Sequence, residues 1–152
     1  MKKKNIFIHI PKTGGTTINT AMYESYWLTE PNFNYRHIVE KTKKSNAGDI
    51  FLKQNQDKYK NYNIFTMLRH PIDKVISEYY FFKERENLMN FFLKRPTSLS
   101  SYIKNNQAKN STINFLMGRR LYDTKKATSS DLERILETAE SLPIHIGIFE
   151  EF

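Results

Sequence analysis

The 152 residues contain no cysteine, which excludes disulfides, thiolate metal ligation and every cysteine-based mechanism. Histidine is scarce. The four present, His9, His37, His70 and His145, show no paired spacing of the His-Glu-x-x-His kind, so no metal-ligand set is read from them and none is expected. No apolar run approaches the roughly 20 residues of a membrane span. The basic start, Met1-Lys2-Lys3-Lys4, is followed by an apolar run that breaks at Pro11-Lys12, too early for a signal-peptide core. The expected compartment is cytoplasmic. Internal repeats and long linkers are also lacking.

What is present can fill a core: 39% of residues are hydrophobic and 14% aromatic, and the length suits one domain over residues 1–152. Lys and Arg number 24 against 16 Asp and Glu, a formal charge of +8. Such a balance favours polyanionic or phosphate-bearing partners by long-range attraction, without choosing between nucleic acid, acidic glycan and nucleotide.

Ile6-Phe7-Ile8-His9-Ile10 is a short β-branched run closed by Pro11 and reads as a buried strand. Gly14-Gly15 make a turn, and Thr16 or Thr17 caps a helix expected to reach about Trp27. A polar stretch with Pro31 follows, then a helix within Ile38 to Tyr59, interrupted near Asn46-Ala47-Gly48. Asn63 to Leu68 reads as a second buried strand, and Pro71 opens a helix over about Ile72 to Glu86. Shorter helices are expected at Ser98 to Asn106 and Thr112 to Met117. A longer one runs from Ser130 to Ser141, capped by Ser129 or Asp131, and Ile144 to Phe149 forms a last strand. Strands alternating with helices predict an α/β fold with a mostly parallel central sheet flanked by helices.

The sharpest feature is Pro11-Lys12-Thr13-Gly14-Gly15-Thr16-Thr17, set between strand and helix. There, backbone amides and the helix dipole converge on an anion. The nucleotide-hydrolase loop G-x-x-x-x-G-K-[ST] places its lysine after the glycines, whereas Lys12 precedes them, which demotes an NTPase or kinase. The second feature is Arg69-His70-Pro71-Ile72-Asp73-Lys74-Val75-Ile76-Ser77-Glu78-Tyr79. Arg69 at a strand end offers a forked guanidinium, and Ser77, two helical turns on, offers a hydroxyl.

These two segments, in this order, resemble the 5'-phosphosulfate loop and the 3'-phosphate segment of sulfotransferases that use 3'-phosphoadenosine-5'-phosphosulfate (PAPS). The likeness is greatest to the branch holding the heparan sulfate 2-O and 6-O enzymes. The resemblance implies a P-loop-NTPase-like three-layer fold and sulfuryl transfer to a hydroxyl or amine, a carbohydrate first of all, with 3',5'-adenosine bisphosphate as product. By the same resemblance Lys12 is catalytic. Lys12, Thr13, Gly14, Gly15, Thr16 and Thr17 hold the 5' end of the cofactor, Arg69 and Ser77 hold the 3'-phosphate, and no metal is required. Weaker similarity covers Arg36-His37-Ile38-Val39-Glu40, where His37 corresponds to the base of several relatives, then Asn114 to Gly118 and Ile146 to Phe152. Family members usually continue past that last stretch with further helices, so the expectation is that these residues form the N-terminal part of a longer protein. His70 stands where Asp or Asn is common, and Lys74, in place of an arginine, keeps a charge that reaches toward phosphate.

Bland readings exist for each residue: a solvated lysine, an ordinary glycine turn, a surface ion pair, a polar helix face. Alternative functions are an inactive sulfonucleotide- or acidic-glycan-binding module of the same fold, and a nucleic-acid binder driven by charge. The latter has no recognition motif, and nucleic acid is not an expected partner.

Overall fold

The computed structural model describes residues 4–24, 33–36, 38–39, 44–85, 98–104, 109–120 and 126–151. In chain order the main elements are β1 (Lys4–Ile8), α1 (Gly15–Glu24), β2 (Phe33–Arg36), β3 (Ile38–Val39), β4 (Lys44–Ser45), α2 (Gln56–Tyr59), β5 (Tyr62–Leu68), α3 (Pro71–Lys83), α4 (Leu99–Lys104), α5 (Ser111–Leu116), α6 (Ser129–Ser141) and β6 (Ile144–Ile148). Four strands form one sheet in the order β2-β1-β5-β6, every neighbouring pair parallel. This is the α/β sheet with flanking helices that the alternating pattern predicts.

Register follows from the apolar runs. Ile6 pairs with Ile64 and Phe7 with Phe65, so the two-residue alternation puts Ile6, Ile8 and Ile64 on one face and Phe7 and Phe65 on the other. The isoleucine face joins the main core with Tyr79 and Phe82 of α3, Tyr102 of α4, Phe115 of α5 and Ile135 of α6. Each such fully buried side chain contributes about 1.5–3 kcal/mol of apolar burial. The other face carries an aromatic layer in which Phe7 stacks on Phe65 at 5.1 Å and on His9 at 5.8 Å. Thr66 Oγ1 donates to Ile8 O at 2.8 Å, tying the two central strands where they approach the loops.

The strand order has a functional consequence. The chain leaves β1 for β2 on one side and β5 for β6 on the other, so the connections diverge between the carboxyl ends of β1 and β5. In open α/β sheets this switch point is where ligands bind. Both sequence segments singled out above begin there, at Pro11 and at Arg69.

Several expectations change. Among the described residues of 38–59 there is no long helix. They form the two-stranded antiparallel pair β3-β4, two 3-10 turns and the single turn of α2. The cause is close backbone packing: a Cβ on Gly48 would lie 2.3 Å from Gly118 Cα, so the chain needs an irregular path here. Asp49 is drawn into a local network with Tyr59, Asn55 and Lys58. β2 lies in the stretch read as polar loop. α6 is capped by Thr128, not Ser129 or Asp131, through a reciprocal box in which Asp131 N donates to Thr128 Oγ1 at 3.2 Å and Thr128 N to Asp131 Oδ2 at 2.9 Å. α1 starts at Gly15, which puts Thr16 and Thr17 in its first turn instead of at its cap. Among the described residues, no helix is long and apolar enough to cross a membrane.

Candidate functional site

The loop after β1 is tied back on itself before it reaches the helix. Thr13 is buried, and its Oγ1 donates to Ile10 O at 2.8 Å. Lys12 and Gly14 both take positive φ, 66° and 79°. For an L-residue such as Lys12 the left-handed region costs about 1–2 kcal/mol, the kind of strain that collects at working sites. A Cβ on Gly14 would stand 2.5 Å from the Phe149 ring, and one on Gly15 would stand 1.8 Å from the His9 ring. Both glycines are therefore required by space. The Ile18 amide reaches Gly14 O at 3.2 Å, so the amides of the first turn of α1 lack helical acceptors and are the open donors of a helix N-terminus.

Arg69 leaves the end of β5 and reaches this loop, its Nη1 donating to Lys12 O at 3.4 Å. Its guanidinium stacks 4.7 Å from the Phe149 ring centroid, and its Nε lies 3.8 Å from Glu150 Oε1. That Nε is buried and makes no hydrogen bond among the described residues, leaving a charged donor ready for an acceptor. Glu150 also accepts from the His70 amide at 3.0 Å. The segment after β6 therefore sets the pose of Arg69, a role the sequence reading did not give to Phe149 or Glu150.

Lys12 Nζ sits 4.3 Å from the centroid of Phe81, and Arg85 lies over the same ring at 4.2 Å. Burial, then the charges of Arg85 and Arg69, pull the Lys12 amine below the ordinary lysine value. Three cations around one loop repel each other, and an arriving anion relieves that repulsion. Beside the loop is a cavity of about 540 Å³ whose walls include Thr13, Arg69, Lys74, Asn110 and Ser111.

The predicted site residues do not all fare alike. Lys12, Thr13, Gly14, Gly15 and Arg69 come together at the switch point. Thr16 and Thr17 are exposed on the first turn of α1, and Ser77 is half-buried on α3. Lys74 does not reach outward as expected. It is buried and bonded to Glu78, and its Nζ donates to Ser111 Oγ at 2.8 Å. His37 lies outside the described residues. His9, on the expected strand and close to the loop, packs its ring on Gly15 and pairs its Nδ1 with the Tyr35 hydroxyl. Burial pushes that hydroxyl up to about 12, so it stays neutral.

A family model described as "Sulfotransferase family" matches residues 1–139. The chain belongs to the sulfotransferase family. No curated protein and no solved structure matches it. As a member of that family the protein is a transferase fold built for sulfuryl transfer in general. Its switch-point loop and Arg69 occupy the position where an α/β sheet presents a ligand site.

Proposed function

We propose that this sulfotransferase takes its sulfuryl group from PAPS and passes it to a carbohydrate hydroxyl. The observation that carries this reading is the convergence of the Lys12 amine, the Arg69 fork and the open amides of α1 on one crevice. These groups fit the cosubstrate. The strapped loop offers the amides of Thr13 to Thr17 to a 5'-phosphosulfate. Arg69, whose buried Nε makes no hydrogen bond among the described residues and lies 3.8 Å from Glu150 Oε1, suits the 3'-phosphate, and Ser77 adds a hydroxyl from α3.

Sulfuryl transfer asks of a protein chiefly alignment and charge stabilisation. Lys12 supplies a cation for the oxygen that bridges phosphate and sulfate as that oxygen gains charge. Its lowered pKa weakens its hold on the proton, which also lets it donate to that oxygen more readily. His37, which follows Arg36 in the sequence, is the base assigned to the acceptor's proton. The chain acts as one domain in the cytoplasm, and no metal enters the scheme.

The test is transfer of labelled sulfate from PAPS to a panel of polysaccharides. Wild type should label one or more of them, and Lys12→Ala should lower the rate by about a hundredfold, the usual worth of one charge-stabilising donor, with an unchanged circular dichroism spectrum. Nucleotide binding without transfer to any glycan would leave a binding module in place of an enzyme of this specificity.

A further inference from the structure

We propose that Glu150 is the resting counter-ion of Arg69, whose hold an arriving phosphate must overcome, and that Phe149 beside it is the plate that keeps the guanidinium aimed during the exchange. The inference rests on the donor reading above, which puts a phosphate on Arg69, and adds two positioning residues from the segment after β6. One ring meets both halves of the site. A Cβ on Gly14 would stand 2.5 Å from Phe149, and the Arg69 guanidinium lies 4.7 Å from the centroid of the same ring. A guanidinium stacked on an aromatic face keeps its plane, so its fork of donors points in a fixed direction.

Glu150 sets the charge at that fork. Its Oε1 accepts from the His70 amide at 3.0 Å, which anchors the carboxylate at the head of α3, and stands 3.8 Å from Arg69 Nε. At that separation the two groups attract without a hydrogen bond, and the buried Nε makes none among the described residues. The donor is held close to a carboxylate and is not satisfied by it. Among the described residues Arg69 makes no other ion pair, and Asp73 in the first turn of α3 faces the His70 ring at 3.7 Å. The Glu150 side chain is 37% exposed, so the pair contributes little to folding. Its effect falls on a second anion at the same guanidinium, because like charges oppose each other there. Glu150 therefore lowers affinity for phosphate while Phe149 raises it, and two adjacent residues act with opposite sign. The competing role for Glu150 is purely structural, tying the end of β6 to α3 through the His70 amide. Glutamine keeps that bond through its carbonyl oxygen and loses the charge, so the two roles separate by experiment.

The experiment is calorimetric titration with 3',5'-adenosine bisphosphate and with inorganic pyrophosphate. Wild type, Glu150→Gln, Phe149→Leu and the charge control Glu137→Gln, at an exposed position of α6, are compared. Glu150→Gln should bind both ligands about three- to tenfold more tightly. Phe149→Leu should bind them about two- to fivefold more weakly, and Glu137→Gln should change less than about twofold. The melting temperature of Glu150→Gln should stay within about 2 °C of wild type. Unchanged or weaker binding by Glu150→Gln, an equal gain in Glu137→Gln, or unchanged binding by a folded Phe149→Leu would overturn the assignment. Should Phe149→Leu lose its native circular dichroism spectrum, the Glu150→Gln titrations decide alone. Wild type that binds pyrophosphate but not the bisphosphate removes the donor reading only, and the pyrophosphate titrations then decide on Glu150 and Phe149 by the same criteria. Wild type that binds neither ligand overturns both.

Discussion

Replacing Glu78 by Ala removes the buried partner of Lys74, which lines the cavity beside the Lys12 loop. Glu78 is fully buried and Lys74 nearly so, and the pair is one helical turn apart on α3. Tyr102 Oη donates to Glu78 Oε2 at 3.2 Å and Ser111 Oγ to Oε1 at 3.3 Å. The substitution strands a buried ammonium with Ser111 as its remaining partner and removes an acceptor of the Tyr102 hydroxyl, at a cost of about 3–5 kcal/mol. Against a total stability of about 5–15 kcal/mol, that lowers the melting temperature by roughly 6–20 °C in a chain of this size. The double substitution Lys74→Met with Glu78→Leu removes both charges together. It should lose only about 1–2 kcal/mol, for the hydrogen bonds that the Ser111 and Tyr102 hydroxyls give up. Urea unfolding with matched slopes measures all three proteins. A single-variant loss under about 1 kcal/mol, or a double variant no more stable than Glu78→Ala, would refute the claim that this ion pair is a buried, interdependent unit.

Two further outcomes follow from named contacts. Gly15→Ala drives a methyl into the His9 ring, breaking its stack on Phe7 and its bond to Tyr35. It should cost about 1–3 kcal/mol of stability and weaken nucleotide binding more than tenfold, and unchanged binding by calorimetry would show that the start of α1 is not part of the site. Asp131 forms a bidentate pair with Arg119 at 2.6 and 2.9 Å, which holds its carboxyl well below the ordinary carboxylate value. A folded pKa below the unfolded one contributes stability that is complete above about pH 5 and is lost as pH falls through the unfolded and then the folded value. The stability gap between wild type and Asp131→Asn should therefore be widest near neutrality and narrow below about pH 4, as followed by thermal melts across that range. A gap that stayed constant would contradict the assignment.

Where a single local rule decided an element, the sequence was legible. β1, β5 and β6 are β-branched runs ended by loops, and their observed spans fall within two residues of expectation. Pro11-Lys12 and Pro71 marked the two loops that meet at the switch point, so Lys12, Gly14, Gly15 and Arg69 were readable as a group. Contacts made across the fold were not. The close approach of Gly48 to Gly118 that replaces a helix by turns depends on residues seventy positions apart. β2 is only four residues long and takes its order from pairing with β1. Phe149 and Glu150 gain their role from the parallel pairing of β6 with β5, which sets them beside Arg69. Lys74 has the right charge for phosphate, but Glu78 one turn later claims it. That i,i+4 spacing was visible and was a signal of an ion pair.

The central claim is that Arg69 and the Lys12 loop form one sulfonucleotide site. Calorimetric titration of the full chain with 3',5'-adenosine bisphosphate tests it without knowledge of the acceptor. Micromolar binding by wild type that weakens about 10- to 100-fold in Arg69→Ala, as expected for loss of charge-assisted hydrogen bonds, is the predicted result. Absence of binding by the folded wild-type chain, or equal affinity in Arg69→Ala, would contradict it.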